Sequence, residues 1–311
     1  MFVVEPKQRL LSRGRVLTRS SRPSSTHSRL FHNLPLIQVS LSFYASRFLG
    51  HNDFKTSLTT TNTPGNATFI GLTWDLVQRH VYLPDQKRMK FLRRVQTFIA
   101  SFNHQKCTLH DIDKIHGSLC YLTVVYLGWR SRLASLSNLR WWEDVLSKED
   151  FYRQLTPRGP ASNLCIYTDA STSWGIGVII DGRWKAFRLS DNWKTEGRGI
   201  CWLETLGVEF VVYLLEAMGI SNCQVTIHSD NQGTIGSMGK RRSPNYHINL
   251  SIRRSYSVLL ARSITPSLVY VASADNPADP ISRGELGKSG DILDAAFELP
   301  EELTDVFAHV Y

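Results

Sequence analysis

The stretch "CIYTDASTSWGIGVIID" (residues 165–181) consists of an apolar run, one aspartate, a short turn of small polar residues and a second apolar run. Short apolar runs on either side of a turn are typical of two neighbouring strands in a buried sheet. Asp169 stands at the end of the first run, where a carboxylate needs a physical reason. Capping of the following turn is one reason, because Asp favours turns. Coordination of a metal ion is the other.

The pattern after residue 163 predicts a mixed α/β sheet with helices packed on it. Each segment is bounded by turn residues such as Asp181-Gly182, which favours a hairpin. We predict five strands, at 164–168, 175–180, 184–189, 223–229 and 267–272. We also predict four helices: one at about 201–218, one that begins at 230, one that ends at about 263, and a short one at 276–284. This domain is assigned to residues 161–284.

Four acids fall at strand ends or helix starts of this predicted domain: Asp169, Glu204, Asp230 and Asp279. Glu204 also suits a helix N-terminus electrostatically, Asp230 can cap the helix that it precedes, and Asp275 competes with Asp279. Each acid alone therefore has an ordinary structural explanation. The ordered set of four is what points to a shared site.

Strand ends and helix starts meet at one edge of an open α/β sheet, which is where sites form. Carboxylates that converge there repel one another and need a cation to neutralise them. Oxygen ligands suit Mg²⁺ or Mn²⁺. Two such ions about 4 Å apart activate a water and stabilise the leaving oxygen of a phosphodiester.

The net charge of +9 is unevenly distributed along the chain. Residues 1–66 carry 9 Lys/Arg against 2 acids, and residues 67–160 carry 14 against 8, whereas residues 285–311 carry seven acids and one lysine. A basic front half suggests a polyanionic partner such as nucleic acid, with ordinary solubility charge as the alternative. We assign residues 285–311 as an acidic C-terminal tail.

The remaining composition bears on compartment. Five scattered cysteines without a C-x-x-C pair fit a reducing, intracellular environment. No run of 18 or more apolar residues occurs, so we expect no membrane partner. Residues 1–66 are rich in Arg and Ser, which is typical of a disordered basic arm, a mitochondrial-type presequence or an artefact of the gene model. The expected location is the nucleus or cytoplasm, with the mitochondrion left open.

Residues 67–160 form a separate predicted module. Residues 67–84 alternate like two short strands, and Pro84 with Asp85 then predicts the start of a basic helix. A T-x-x-D capping box at Thr108 and Asp111 predicts a second helix, from 109 to about 127. The Pro/Gly/Ser stretch at 157–162 places the domain boundary there.

Four motifs together resemble the type 1 RNase H domain of retroelement reverse transcriptases, in particular LTR and DIRS-like elements. They occur in the family's order and spacing over residues 163–284, and they are "YTDAS…WGIGVII" (167–180), "WLETLGVEFVVYLL" (202–215), "IHSDNQGTIG" (227–236) and "ADNPADPISRG" (274–284).

The resemblance implies an RNase H-like fold and endonucleolytic cleavage of RNA in RNA–DNA hybrids with two Mg²⁺ ions, for which Mn²⁺ can substitute. It implies that Asp169 bridges both ions and that Glu204, Asp230 and Asp279 complete the ligand shell. Asp279 is preferred to Asp275 because it occupies the aspartate of the family's N-x-A-D-x-x-S-R pattern.

Upstream, "FIGLTWDL…RHVYLPDQKRMKFL…TLHDIDKIHGSL" resembles the end of a polymerase palm followed by thumb-like or connection helices. The aromatic-x-Asp-Asp signature of the polymerase is missing, since no Asp-Asp pair occurs in the chain. We therefore expect no DNA polymerase activity and interpret the chain as a truncated or domesticated retroelement fragment. A polymerase subunit or other retroelement protein is a further partner that the resemblance leaves open.

Substrate contacts are predicted in two groups. Small polar residues near the site, among them Thr172 and Gln232, are candidates for sensing 2′-hydroxyls, and basic residues are candidates for phosphate contact, with capping and solvation as the alternatives. The predicted nucleic-acid-binding residues are Ser171, Asn231, Lys240, Arg241, Arg242, Arg253, Arg93 and Arg94. Two other functions stay open: a catalytically weak nucleic-acid-binding remnant, and an integrase-type strand transferase.

Overall fold

The computed structural model describes residues 59–60, 66–69, 71–75, 77–102, 105–123, 125, 127–134, 138–149, 152–155, 159–195 and 197–311. The predicted disordered arm at 1–66 lies almost entirely outside these residues. The chain divides into two compact units. The first comprises residues 1–125 and 139–155, and the second comprises residues 126–138 and 156–311.

The first unit combines an antiparallel sheet with helices. In the described residues, its strands follow the order β1-β2-β3-β4-β5. The helix α1 presents a row of exposed basic residues, and α2 begins at the predicted capping box, in which Thr108 and Asp111 bond each other's backbone and side chain. The elements are β1 (Thr59–Thr60), β2 (Asn66–Phe69), β3 (Leu72–Asp75), β4 (His80–Tyr82), α1 (Asp85–Phe102), α2 (Leu109–Leu122), α3 (Leu139–Ser147) and β5 (Tyr152–Gln154).

The second unit is built on a mixed sheet of six strands within its described residues, in the order β10-β9-β6-β7-β8-β11. Strands β6, β9 and β10 are parallel to one another, whereas β7, β8 and β11 pair antiparallel. The strands are β6 (Ile166–Ala170), β7 (Gly175–Ile180), β8 (Arg183–Leu189), β9 (Gln224–Ser229), β10 (Thr265–Tyr270) and β11 (Phe307–Val310). The helices are α4 (Ile200–Ala217), α5 (Gln232–Lys240), α6 (Tyr246–Ala261) and α7 (Asp279–Ser282), with a 3₁₀ segment at Leu127–Ala134.

Two glycines allow helices to lie directly on the central strands. A Cβ at Gly207 on α4 would come within 2.3 Å of the Thr168 hydroxyl oxygen on β6. A Cβ at Gly177 on β7 would come within 2.6 Å of the Ala278 carbonyl oxygen and 2.7 Å of the Ser282 nitrogen. Both close approaches require a residue without a side chain. They bring the middle of α4 against β6 and α7 against β7.

The prediction of a five-stranded sheet with a separate acidic tail is corrected by the C-terminal segment 285–311. Its last residues form β11, which pairs with β8 through Phe307↔Leu189 and Val310↔Phe187. The apolar side chains of the segment pack into the main core of the unit, among them Leu293, Leu303 and Val306. The charged residues of the segment stay on the surface. Its acidic composition therefore gave no indication of the strand and the core positions that it contains.

A buried ion pair ties α4, α6 and the C-terminal segment together. The fully buried Glu209 carboxylate accepts two hydrogen bonds from the Arg254 guanidinium, one of them with Oε2 at 3.0 Å. Tyr213 donates its hydroxyl to the same carboxylate at 2.7 Å, and Arg254 also contacts Glu302 at 3.3 Å. Glu209 and Glu204 lie five residues apart on α4, about 140° around the helix, so the two carboxylates point in different directions.

None of the helices in the described part of the chain combines the length and the apolar composition needed to cross a membrane.

Candidate metal centre

The register of two parallel strands places two aspartates side by side. Strand β6 pairs with β9 through Ile166↔Ile227 and Tyr167↔His228. Asp169 and Asp230 each lie two residues beyond the last of these pairs, at the carboxyl ends of their strands. Because strand ends at a sheet edge project into the crevice beside it, the two carboxylates share that edge.

Glu204 reaches the same edge from the helix above the sheet. It lies in the second turn of α4, one turn before Gly207, and residues three apart share a helix face. The close approach of Gly207 to Thr168 on β6 therefore turns Glu204 toward the end of that strand.

Asp169, Glu204 and Asp230 form a carboxylate triad. Each offers one carboxylate oxygen, and these oxygens all lie within 4.8 Å of one another. Asp169 and Glu204 are each 3% exposed, and Asp230 is half-buried. The sequence predicts that four acids converge, and this geometry brings three of them together in a group that can hold a metal ion.

Burial and mutual repulsion raise the pKa values of two carboxyl groups of the triad, Glu204 and Asp169. Burial raises the pKa of Glu204 to about 9, and the charges of Asp169 and Asp230 add to the rise, while a hydrogen bond from the Ala170 backbone opposes it. Burial likewise raises the pKa of Asp169 to about 6, against the opposing effect of a hydrogen bond from Ser282. A cation at the triad would reverse both effects, because an opposite charge favours the ionised form.

The donor set fits a hard divalent cation. Glu204 Oε2 is buried and has no hydrogen-bond partner among the described residues. A buried carboxylate oxygen without a partner is costly, and a metal ion would satisfy it. All three ligands are carboxylates, which are the groups that Mg²⁺ and Mn²⁺ prefer to thiolate or imidazole.

Asp279, the predicted fourth ligand, lies outside the 4.8 Å group. It begins α7 and forms a two-pronged ion pair with Arg283, with both N–O distances at 2.9 Å. Its charge still contributes to the raised pKa of Asp169, so it belongs to the same electrostatic neighbourhood. Its competitor Asp275 lies in a 3₁₀ turn after β10 and is exposed.

Three polar residues that the sequence analysis did not select hold the triad. The hydroxyl of Ser282 donates to Asp169 Oδ2 at 2.5 Å, and the amide of Asn276 lies 3.5 Å from Asp169 Oδ1. The hydroxyl of Ser273 donates to Asp230 Oδ2. Asn276 and Ser282 are the N and the S of the motif N-x-A-D-x-x-S-R, so the motif itself contained the signal.

The small polar candidates are engaged in turns and caps. The Ser171 hydroxyl lies 2.8 Å from that of Ser173, and the Asn231 side-chain oxygen accepts from Thr234 N at 2.9 Å as the cap of α5. Thr172 and Gln232 are exposed. These contacts match the structural explanation that the sequence left open, and they place all four residues directly after β6 or β9.

The basic turn after α5 is tied to α6 by side-chain contacts and is partly exposed. Arg241 adopts a left-handed conformation with φ 57° and lies over the Tyr256 ring, 4.6 Å from its centroid. Lys240 and Arg242 on either side are exposed. Asn249 bonds the backbone of Ser243 through both ends of its amide, which fixes the turn to α6.

The three other basic candidates lie outside the basic turn, one on α6 and two on α1. Arg253 is half-buried and donates Nη2 to the Ser131 carbonyl at 2.9 Å, so part of its guanidinium serves the fold. Arg93 and Arg94 are exposed on α1 of the first unit, where Arg94 also donates to the Ser118 hydroxyl at 3.1 Å.

No family model matches this chain, and no curated protein matches it either. Fold and site together define the class: an α/β protein with a mixed sheet and a buried carboxylate triad that can hold a metal ion at the carboxyl ends of two parallel strands.

Proposed function

We propose that the chain is an endoribonuclease that cleaves the RNA strand of RNA–DNA hybrids with two divalent cations, Mg²⁺ in the first place and Mn²⁺ as a substitute. The carrying observation is the triad of Asp169, Glu204 and Asp230, whose carboxylate oxygens lie within 4.8 Å of one another. The resemblance of the surrounding motifs to retroelement RNase H domains supplies the substrate class.

Four acidic residues of the chain would bind the cations at this site. Asp169 on β6, Glu204 on α4 and Asp230 after β9 would hold the cations. Asp279 would join the shell by giving up part of its ion pair with Arg283. When bound, the cations supply an activated water and stabilise the leaving oxygen of the phosphodiester.

Residues around the triad are suited to a nucleic-acid strand. Ser171 and Asn231 begin the loops at the same sheet edge and offer small polar groups for 2′-hydroxyl contact. Lys240, Arg241 and Arg242 form the basic turn, from which Lys240 and Arg242 project into solvent. Phosphate contact by such residues adds affinity without reading sequence.

The direct test is cleavage of a hybrid with a labelled RNA strand in Mg²⁺. We expect cutting of the RNA in the hybrid and none of duplex DNA. Asp169→Asn or Asp230→Asn should lower the rate at least about 100-fold, since cation stabilisation of the transition state is worth several kcal/mol.

Asp191→Asn is the matched control, because Asp191 is an exposed carboxylate of the same unit that does not belong to the triad. Its rate should equal that of the original chain. Binding of the hybrid without cutting by the unmodified chain would instead favour the catalytically weak remnant. Strand joining of DNA would favour the strand transferase.

A further inference from the structure

The carboxylate of Asp169 is held at both oxygens by residues of one short segment. Ser282, at the end of α7, donates its hydroxyl to Oδ2 at 2.5 Å, and the Asn276 amide approaches Oδ1 at 3.5 Å. Asn276 is 3% exposed and Ser282 is fully buried, so these contacts lie away from solvent.

The same two residues also fix the segment to the strand that carries Asp169. Asn276 donates to the Thr168 carbonyl at 3.1 Å and accepts from Ala278 N at 3.2 Å. The Ser282 hydroxyl oxygen lies 2.9 Å from the Asp279 carbonyl, so it contacts the backbone of the residue that carries the fourth acid. Gly177 allows this arrangement, because α7 occupies the space where a Cβ would lie.

A carboxylate has about four lone-pair positions in its plane. Two of those of Asp169 point to Ser282 and Asn276, which leaves the remaining ones free to face Glu204 and Asp230. Rotation of the carboxylate would break the Ser282 bond. Its orientation is therefore determined before any cation arrives.

We propose that Ser282 and Asn276 are positioning residues that set the carboxylate plane of Asp169 for cation binding. This inference rests on the proposed function, because it concerns the same metal centre. Partners of metal ligands commonly affect metal affinity about 10–100-fold. The two residues act through Asp169, since both are buried away from solvent.

The test is calorimetric titration of the full chain with Mn²⁺ in the absence of nucleic acid, with the unfolding temperature in EDTA measured alongside. Ser282→Ala should weaken Mn²⁺ binding about 10–100-fold. The matched control is Ser255→Ala, which removes a fully buried hydroxyl that bonds the Ser251 carbonyl at 2.9 Å on α6. The control should change the unfolding temperature by a similar amount but leave Mn²⁺ affinity unchanged.

If Ser282→Ala does not fold, Ser282→Cys keeps a weak donor of similar shape, and a smaller but measurable loss of affinity is expected. Equal Mn²⁺ affinity in the Ser282 variant and the original chain would overturn the positioning role while leaving the metal centre intact. Failure of the original chain to bind Mn²⁺ would overturn the metal centre itself, and the positioning role with it.

Discussion

A carboxylate oxygen of Asp169 on β6 lies within 4.8 Å of one of Glu204 on α4, and both residues are 97% buried. Two like charges at this distance, with little water to screen them, cannot both be ionised cheaply. The two carboxylates are nevertheless buried together at one edge of the mixed sheet, where their repulsion destabilises the fold. Such a cost is characteristic of a functional site.

The first prediction concerns protons released when a cation binds. Glu204, with its pKa raised to about 9, holds a proton in the metal-free fold at pH 7.5, and cation binding favours its ionised form. We expect release of about one proton for each protein at pH 7.5. Titrations with Mg²⁺ or Mn²⁺ in buffers of different ionisation enthalpy measure this number. Heats that do not depend on the buffer would contradict it.

The second prediction concerns Glu204→Gln. The raised pKa of Glu204 means that the metal-free fold binds its proton more tightly than the unfolded chain does. Its contribution to stability is thus complete at low pH and is lost as pH rises toward 9. Glutamine stays neutral at every pH, so the variant should be the more stable one at pH 9. Each kcal/mol of added stability should raise the unfolding temperature by about 2–4 °C.

Thermal unfolding in EDTA at pH 6 and pH 9 checks this expectation. The difference between variant and original chain should be smaller at pH 6 than at pH 9, because the stabilising effect of the proton is lost progressively from about pH 4.5 to pH 9. Addition of Mg²⁺ should raise the unfolding temperature of the original chain and leave that of the variant nearly unchanged. A variant that Mg²⁺ stabilises as strongly as the original would argue against Glu204 as a ligand.

Hydrophobic pattern was sufficient to predict the central strands of the second unit. Strands β7 and β8 and helix α4 lie within about one residue of their predicted bounds, because each combines a strong apolar run with a clear turn. Strand β11 was missed for a physical reason. Its residues follow an acid-rich stretch, and only Phe307 is buried, so no alternating pattern marks it as a strand.

The three acids of the triad were predictable from their positions, but the hydrogen-bond partners of Asp230 and Asp279 were not. Asp169, Glu204 and Asp230 stand at strand ends or a helix start, and topology alone brings such positions together. The partner of Asp279 depends on the short helix α7, where Arg283 four residues on can reach back to it. That choice, like the Ser273 bond to Asp230, depends on side-chain packing that sequence pattern does not contain.

The third prediction is that a chain ending at Gly284 does not fold its second unit. Truncation removes β11 and four buried side chains, Leu293, Leu303, Val306 and Phe307. At about 1.5–3 kcal/mol for each, the loss is roughly 6–12 kcal/mol. That loss is comparable to the whole stability of a typical domain, about 5–15 kcal/mol.

Circular dichroism and hydrogen exchange of the truncated chain measure the outcome. Full-length Glu298→Gln and Asp305→Asn serve as controls, because both side chains are exposed on the same segment. These controls should unfold at the original temperature. A truncated chain that retains protected amides in β7 and β8 would show that the segment is dispensable.

The fourth prediction concerns the basic turn. Each phosphate contact that is lost should lower the slope of log affinity against log salt by about 0.7–0.9. Lys240→Gln and Arg242→Gln should each weaken hybrid binding and lower this slope, whatever the hybrid's sequence, because both side chains are exposed beside Arg241, which lies over the Tyr256 ring. Fluorescence anisotropy in the Asp169→Asn background, which keeps the hybrid uncut, gives the slope.

Arg183→Gln is the matched control, since Arg183 is an exposed arginine beside the β7–β8 turn, at the opposite end of the sheet from Asp169. If the control and the turn variants change the slope equally, the basic turn does not bind the phosphates.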